Sequence, residues 1–373
     1  MELEPWLILL QATLPPATPL VGLLQELGHP GALTTRSAAQ LRSAGLSAEA
    51  AGRIHRPDEA TLDRYTAWLQ TPGNTLVTLG SADYPPLLSA LPDPPVALWV
   101  RGNPATLREP QLAMVGSRNP TQGGLVNARG FARDLAQVGL SITSGMALGI
   151  DGASHAGAMN GQGSTLAVLG SGLDLIYPSQ HRNLAESVAC HGALVSEYAP
   201  GTKPQRHHFP CRNRIIAGLT LGTLVVEATR RSGSLITARL AGDYGREVFA
   251  IPGSIHNPMA RGCHQLIRQG AKLVEDSADV LRELAPQLAP YLQPPVQDPS
   301  APQQGAGGFQ GLDASYRNLL DCMGFDPVDL PELTKRSGLT PAELSSMLLV
   351  LELESFVEAL PGGWYSRIEK RNG

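Results

Sequence analysis

The highest density of positive charge in the sequence lies between residues 201 and 231. This stretch has six basic residues and one carboxylate, Glu227, whereas the whole chain of 373 residues has a formal net charge of −4. The basic residues are Lys203, Arg206, Arg212, Arg214, Arg230 and Arg231. Phe209 lies among them, and an aromatic ring can stack on a nucleobase while arginines bind phosphates. The stretch therefore predicts binding of single-stranded nucleic acid or of a nucleotide, and a solvated charged face is the alternative.

Small, flexible or hydroxylated residues follow six predicted strands of the central region. They are Gly116 to Arg118, Ser144 to Met146, Gly170 to Gly172, Ser196 to Tyr198, Arg230 to Ser234 and Pro252 to Ser254. In an open parallel sheet, ligands bind beyond the carboxyl ends of the strands. Glycine lets a backbone approach its ligand closely, and amides at helix starts attract anions. Together the six turns predict an anion-binding rim, although each turn alone would fit ordinary strand-to-helix geometry.

Residues suited to catalysis or metal binding are few and dispersed. Asp151 and His155 are four residues apart, so on a helix they would share a face and form either a metal site or an acid–base pair. The interpretation we favour is that Asp151 accepts N–H bonds at a helix start and His155 packs nearby. Cys211 has no identifiable base partner, and no HExxH or GxSxG motif occurs. We therefore expect no catalytic residue and no metal.

Named nucleotide-binding motifs are also missing. The stretch GSGLDL at 170–175 has Leu175 where a dinucleotide fingerprint needs its third glycine, and no GxxxxGK[ST] sequence is present. The four cysteines are scattered and form no CxxC pair, so neither a disulfide framework nor a zinc cluster is indicated. A bound nucleoside triphosphate is disfavoured, and no cofactor is expected.

The elements that must position these residues alternate between strand and helix from residue 75 to residue 285. The predicted strands cover 75–79, 96–100, 112–115, 140–143, 165–169, 193–196, 223–227 and 247–251. Several of them are apolar throughout, as expected for strands that are covered on both faces. This alternation predicts an α/β fold, a Rossmann-like, doubly wound and mainly parallel sheet.

Two smaller domains are predicted to flank this central domain. Residues 1–74 carry short helices with apolar residues at helical spacing; they resemble SAM or helix-hairpin-helix modules, and a packing role is favoured over DNA-backbone binding. Residues 286–312 are rich in proline, glycine and glutamine and predict a linker. Residues 313–373 give helices followed by two extended runs about a turn, the pattern of a winged helix.

The first residues do not resemble a secretory signal peptide. They include acidic residues where such a peptide is positively charged, and the apolar stretch that follows is short and ends in prolines. No run of 18 apolar residues occurs anywhere in the chain. A cytoplasmic protein without a membrane partner is therefore expected.

Long stretches of the central region resemble one known family. They include MVGSRNPTQGG at 114–124, TSGMALGIDGASHAGAM at 143–159, FPCRNRIIAGL at 209–219 and VVEATRRSGSLITARLA at 225–241. In this order they resemble the DNA-processing protein A family, also called Smf. The resemblance covers the central region almost continuously, and the flanking domains look like the accessory domains that vary among members.

The resemblance implies a non-enzymatic function. Members of the family bind single-stranded DNA, shield it from nucleases and load a RecA-type recombinase on it during natural transformation. They act as dimers through the central domain. The DNA-contacting residues implied by the matching motifs are Gly116, Ser117, Arg118, Ser144, Gly145, Lys203, Arg206, Phe209, Arg212, Asn213, Arg214, Gly233 and Ser234. Arg118, Arg212 and Arg214 would bind phosphates, and Phe209 would stack on a base.

Two other functions stay open at this point. The first is a nucleotide N-glycosidase of the phosphoribohydrolase type with Glu227 as its carboxylate, although the PGGxGTxxE pattern of those enzymes is absent. The second is a regulator that acts through the winged helix without binding DNA. A DNA-reading winged helix needs a basic recognition helix, yet residues 340–360 contain four glutamates and no lysine or arginine. We therefore expect the tail to contact protein rather than to bind duplex DNA strongly.

Overall fold

The computed structural model describes residues 3–13, 18–27, 29–291, 314–324, 326–353, 356–360 and 363–368. The chain divides into two compact units, one up to residue 293 and the other from residue 294. The first unit holds the N-terminal helices together with the central sheet, and the second holds the C-terminal helices and strands.

A nine-stranded sheet forms the centre of the first unit. Its strands are β1 (Asn74–Thr78), β2 (Ala97–Gly102), β3 (Gln111–Val115), β4 (Ser141–Ser144), β5 (Thr165–Leu169), β6 (Gly192–Ser196), β7 (Gly222–Val225), β8 (Glu247–Ala250) and β9 (Lys272–Leu273). Their order in the sheet is β1-β2-β6-β5-β4-β3-β7-β8-β9. β2 pairs antiparallel with β1 and with β6. The other seven strands, in the sheet order β6-β5-β4-β3-β7-β8-β9, pair in parallel.

Helices cover this sheet and connect its strands. The helices of the first unit are α1 (Glu4–Ala12), α2 (Thr18–Leu27), α3 (Gly31–Thr34), α4 (Ala38–Ser43), α5 (Ala48–His55), α6 (Glu59–Gln70), α7 (Pro86–Ser89), α8 (Gln122–Gln137), α9 (Ile150–Asn160), α10 (Arg182–His191), α11 (His208–Leu219), α12 (Ser234–Asp243), α13 (Arg261–Arg268) and α14 (Ser277–Leu288). Every residue of β3, β5 and β6 is buried, as expected for apolar strands covered on both faces.

The strand order confirms the prediction of a doubly wound, mainly parallel sheet. From β3 the chain winds outward in one direction through β4, β5 and β6, and then returns to place β7 on the other side of β3. The neighbours β3 and β7 mark the point where the winding direction reverses. In sheets of this kind the ligand crevice opens at that point, beyond the carboxyl ends of the strands.

The N-terminal helices pack directly against the sheet. Trp99 on β2 is fully buried, with ring centroids 5.1 Å from Tyr65 and 5.5 Å from Trp68, both on α6. Apolar residues of α1 and α5, among them Leu9 and Ala51, belong to the same buried cluster as Trp99. This continuous core explains why residues 1–74 and the sheet form one compact unit.

The second unit has a small core of its own. It consists of α15 (Ala314–Met323), β10 (Val328–Asp329), α16 (Leu330–Ser337), α17 (Pro341–Leu353), β11 (Val357–Leu360) and β12 (Trp364–Arg367). The three strands form an antiparallel sheet in the order β10-β12-β11. Helices followed by a two-stranded wing confirm the predicted winged helix. Of the predicted linker, residues 286–291 are helical and residues 292–312 lie outside the described residues.

Candidate nucleic-acid interface

The turn after β3 brings Arg118 to the surface at the carboxyl edge of the sheet. Its guanidinium carbon lies 5.9 Å from the ring centroid of Phe209 on α11, in a cation–π arrangement. Tyr177 lies in the connection that follows β5, at the same edge of the sheet, and its ring centroid is 5.6 Å from that of Phe209. The structure therefore brings a cation and two aromatic rings together, as single-stranded nucleic-acid sites require.

The predictions from sequence missed Tyr177. Its only signal is its place in the stretch GSGLDLIYP, which follows a strand that is buried throughout. An aromatic residue in such a connection lies at the ligand edge of a parallel sheet, but only the structure shows that its ring reaches Phe209.

Other basic side chains line the same edge. Lys203 and Arg206 lie in the connection from β6 to α11, and Arg230 and Arg231 lie between β7 and α12; all four are exposed. Like Arg118, they form no ion pair with a carboxylate within the part of the chain that the structure describes. Five basic side chains therefore face solvent at one sheet edge, free to bind an anion.

Arg212 lies beneath this surface, contrary to the prediction that it binds a phosphate. It is buried, and its Nη1 donates a hydrogen bond to the backbone carbonyl of Val168 on β5. Its Nε is buried without a hydrogen-bond partner. Burial lowers the pKa of Arg212 to about 10, and the nearby carboxylate of Asp151 opposes that shift. The physical reason for the difference is that α11 turns this side chain inward, toward the sheet.

The turn after β4 is held together by Asp151 instead of offering its amides to a ligand. The Asp151 carboxylate accepts hydrogen bonds from the amides of Gly145 and Ala147, both at 3.2 Å. Ser144 is buried, and its hydroxyl donates to the carbonyl of Met114 at 2.6 Å. Asp151 thus accepts N–H bonds, as predicted, although the donors precede the helix. Ser144 and Gly145 shape the rim from below, and the prediction that they contact DNA disagrees with these bonds.

Glycine at position 145 is required by Arg212. A methyl group there would overlap the Arg212 guanidinium, so the turn can lie over the arginine only without a side chain. Burial raises the pKa of Asp151, and the charge of Arg212 and the two amides oppose that effect. Arg212, Asp151 and Gly145 therefore form one buried support under the rim, which we call the Arg212–Asp151 support.

Arg214 is also buried and forms ion pairs with two carboxylates, while its Nε and Nη1 have no hydrogen-bond partner among the described residues. Its Nη2 lies 2.6 Å from Glu197, and its Nε lies 3.1 Å from Asp93. Burial alone would lower the pKa of Arg214, but these two carboxylates outweigh it and raise the pKa. Phosphate binding by Arg214 stays a prediction, and in this structure its charge is already paired with carboxylates.

The remaining residues that were predicted to contact DNA lie around the rim, and they differ in how exposed they are to solvent. Gly116 leaves no space for a side chain because Ile150 packs against it, and the Ser117 hydroxyl accepts a bond from the amide of Asn119 at 3.1 Å. Gly233 is exposed at the start of α12, whereas Ser234 is buried. Asn213 is half-buried on α11. Of this set, Gly116, Ser117, Asn213 and Gly233 are at least partly exposed, and Ser234 is not.

Glu227 lies at the N-terminus of α8, where the phosphate of a nucleotide could otherwise bind. Its buried carboxylate accepts a bond from the amide of Thr121 at 2.9 Å and another from the Thr121 hydroxyl at 2.7 Å. Thr121 is the cap of α8, and Glu227 lies directly against Gly124 in its first turn. A carboxylate at this positive helix end occupies the place where a phosphate would otherwise bind.

His155 is a buried, neutral side chain. Its Nδ1 lies 2.7 Å from the Thr165 hydroxyl, and burial lowers the pKa of His155 to about 3. It therefore packs inside the unit, as the interpretation favoured from sequence holds. Within the described ranges no group of three histidine, cysteine or carboxylate side chains could hold a metal ion. In the same ranges no helix is both long and apolar enough to cross a bilayer.

Two family models match the chain. One, described as DNA recombination-mediator protein A, covers residues 75–285, and the other, described as the DprA winged helix domain, covers residues 297–363. Protein Smf of Escherichia coli K12 is 40% identical over 325 residues, which cover 87% of this chain and 86% of that protein. DNA processing protein DprA of Streptococcus pneumoniae is 47% identical over 200 residues, which cover 54% of this chain and 71% of that protein.

Two solved structures have the same fold. The X-ray structure of DNA processing protein A from Streptococcus pneumoniae matches with a TM-score of 0.67 and 38% identity, covering 74% of this chain and 95% of that chain. DNA processing protein A from Helicobacter pylori, whose structure concerns a single-stranded DNA binding mode, matches with a TM-score of 0.52 and 29% identity. That match covers 57% of this chain and 97% of that one.

Proposed function

This chain belongs to the DNA recombination-mediator protein A family, and on that premise we propose that it binds single-stranded DNA, protects it and loads a RecA-type recombinase on it during natural transformation. The observation that carries the proposal is that five exposed basic side chains, which form no ion pair in the described part of the chain, follow strands of the sheet at the same carboxyl edge as two aromatic rings. Relatives of this chain are named for DNA processing, and one is described with single-stranded DNA.

In the proposed complex the DNA strand lies along the carboxyl ends of the parallel strands. Arg118 binds a phosphate, and Lys203 and Arg206 extend the positive surface over the end of β6. The amides of Gly116 and Gly233 allow the sugar–phosphate backbone to approach closely. Contacts of this kind are made with phosphates and with the faces of bases, so binding is weakly sequence-dependent and sensitive to salt.

We propose that the protein acts without catalysing a reaction. The enzyme alternative needs Glu227 as a free carboxylate near a nucleotide, but Glu227 is buried and accepts two hydrogen bonds from Thr121. The geometry therefore favours a fold-stabilising role for this carboxylate. Release of free base from AMP by the purified protein would revive the enzyme alternative.

The assembly and location of the protein are further parts of the proposal. We expect a homodimer through the central domain, a RecA-type recombinase as partner, and a cytoplasmic site of action. A groove of 570 Å³ lies between α12 and α13, and its lining combines apolar residues such as Leu235, Ile236 and Val248 with charged ones such as Arg239, Arg246 and Glu247. Light scattering of the full chain tests the dimer, and a mass of one chain in solution would contradict it.

Gel shifts with single- and double-stranded oligonucleotides test the function itself. We expect the wild type to prefer single strands and Arg118→Ala to weaken that binding about tenfold, because a charge-assisted phosphate contact is lost. Arg108→Ala is the matched control, since Arg108 is an exposed arginine that precedes β3 at the opposite edge of the sheet. Equal binding by all three proteins, or no preference for single strands, would refute the site.

A further inference from the structure

We propose that Tyr177 provides the exposed ring on which a nucleobase stacks, and that Phe209 supports this ring and orients Arg118 from behind it. The inference rests on the proposed binding of single-stranded DNA and deepens it. It assigns the base-stacking position to a residue that the sequence motifs did not single out, and it gives Phe209 a positioning role.

The surroundings of Phe209 leave little of its ring for a ligand. The Arg118 guanidinium lies over the ring at 5.9 Å from its centroid. Gly170 lies so close to Cδ1 that a methyl group on this glycine would contact the ring at 3.2 Å. Tyr177 contacts it from a third direction, with a tilt of 41° between the two ring planes. Phe209 is accordingly half-buried.

Tyr177, in contrast to Phe209, is largely accessible to a ligand. Its side chain is 51% exposed, although it is a large ring at the centre of the proposed interface. No hydrogen bond, ion pair or further ring contact of this residue competes with a ligand in the described part of the chain besides the contact to Phe209. A half-exposed ring that packs against a second ring has surface left on which a base can stack, and stacking of this kind tolerates any base sequence.

The connection that carries Tyr177 is fixed before any ligand binds. The Ser171 hydroxyl donates to the carbonyl of Leu175 at 2.8 Å. The carboxylate of Asp174 accepts a bond from the amide of Gly201 at 2.9 Å, and the amide of Gly172 donates to the carbonyl of Thr202 at 2.9 Å. These bonds attach the connection after β5 to the one after β6. A preordered ring loses less conformational entropy on stacking than a mobile one.

The position of Arg118 completes the argument. Tyr177 and Arg118 both contact the ring of Phe209, so a stacking surface and a phosphate-binding cation lie next to the same residue. This arrangement fits one nucleotide, with its base on Tyr177 and its phosphate on Arg118. A base cannot enter between Tyr177 and Phe209, because those two rings are already in contact.

Fluorescence anisotropy with two labelled oligonucleotides tests the stacking role. One is oligo-dT, and the other is an abasic strand of the same length that keeps every phosphate and has no bases. We expect Tyr177→Ala to weaken oligo-dT binding roughly tenfold and to leave abasic binding unchanged, and we expect Tyr177→Phe to bind both strands like the wild type. Tyr291→Ala is the matched control, because Tyr291 is 43% exposed and follows α14 at the opposite edge of the sheet.

Each contrary result identifies what has failed. An equal loss on both strands in Tyr177→Ala would contradict stacking, since a purely structural or electrostatic effect does not depend on bases. A base-dependent loss in Phe209→Ala together with none in Tyr177→Ala would return the stacking role to Phe209 and overturn the inference. Failure of the wild type to bind either strand would overturn the proposed function, and the stacking role with it.

Discussion

Arg118 and Arg214 have the same side chain and lie on neighbouring parts of one unit, yet their environments differ completely. Arg118 is exposed, lies over an aromatic ring and forms no ion pair with a described carboxylate, so its positive charge is available. Arg214 is buried between Glu197 and Asp93, so its charge is already neutralised. A phosphate can bind the first guanidinium without breaking an ion pair, whereas binding the second would leave the buried carboxylate of Glu197 unpaired.

This difference predicts opposite phenotypes for two matched variants. Arg214→Met should lower the free energy of unfolding of the first unit by about 3–5 kcal/mol, because it leaves the buried carboxylate of Glu197 uncompensated. Arg118→Met should change it by less than about 0.5 kcal/mol, since its side chain is exposed. Urea unfolding curves measure both. Weaker single-strand binding by Arg214→Met with unchanged stability would instead support direct phosphate contact.

At this scale the sequence was informative about charge and uninformative about burial. The surplus of arginine in residues 201–231 is plain from the residue types. Whether a given arginine faces solvent depends on what covers each face of α11, and positions 212 and 214 are both buried although they lie on different faces of this helix. Their carboxylate partners, Asp151, Glu197 and Asp93, lie far away in sequence, so their pairing becomes visible only in the folded chain.

Among the elements, strands were easier to predict than the contacts between helices and sheet. Continuous apolar runs such as 165–169 identified the buried strands because both of their faces are covered. The packing of α6 on Trp99 was not predicted, since the helical spacing of residues 59–70 shows an apolar face without showing what covers it. The N-terminal helices consequently share a core with the sheet instead of standing apart.

Helix α17 of the winged helix gives a prediction at the same scale. Leu349 and Val350 on it are 58% and 40% exposed, and the sequence around them carries glutamates without a basic residue. A helix of this kind should not bind duplex DNA. Replacing Leu349 and Val350 by glutamate in the full chain should therefore leave duplex affinity in a gel shift unchanged. A clear loss of duplex binding would show that α17 contacts DNA after all.

For the whole molecule, net charge conceals the proposed site. The chain as a whole has a formal charge of −4, and residues 313–373 have ten carboxylates against six basic residues, so the tail accounts for this excess. The first unit presents five exposed basic side chains along one sheet edge, and none of them forms an ion pair with another described residue. The local charge at the ligand edge, rather than the total charge, therefore determines how this protein binds an anionic polymer.

The salt dependence of single-strand affinity tests this account most directly. Each neutralised phosphate of a single strand contributes about −0.7 to the slope of log affinity against log salt concentration, so five contacts predict a slope near −3.5. Titrations of oligo-dT at several salt concentrations should give Arg118→Ala a slope shallower by about 0.7, and Arg108→Ala the slope of the wild type. A wild-type affinity that is independent of salt, or an unchanged slope in Arg118→Ala, would contradict phosphate binding at this edge.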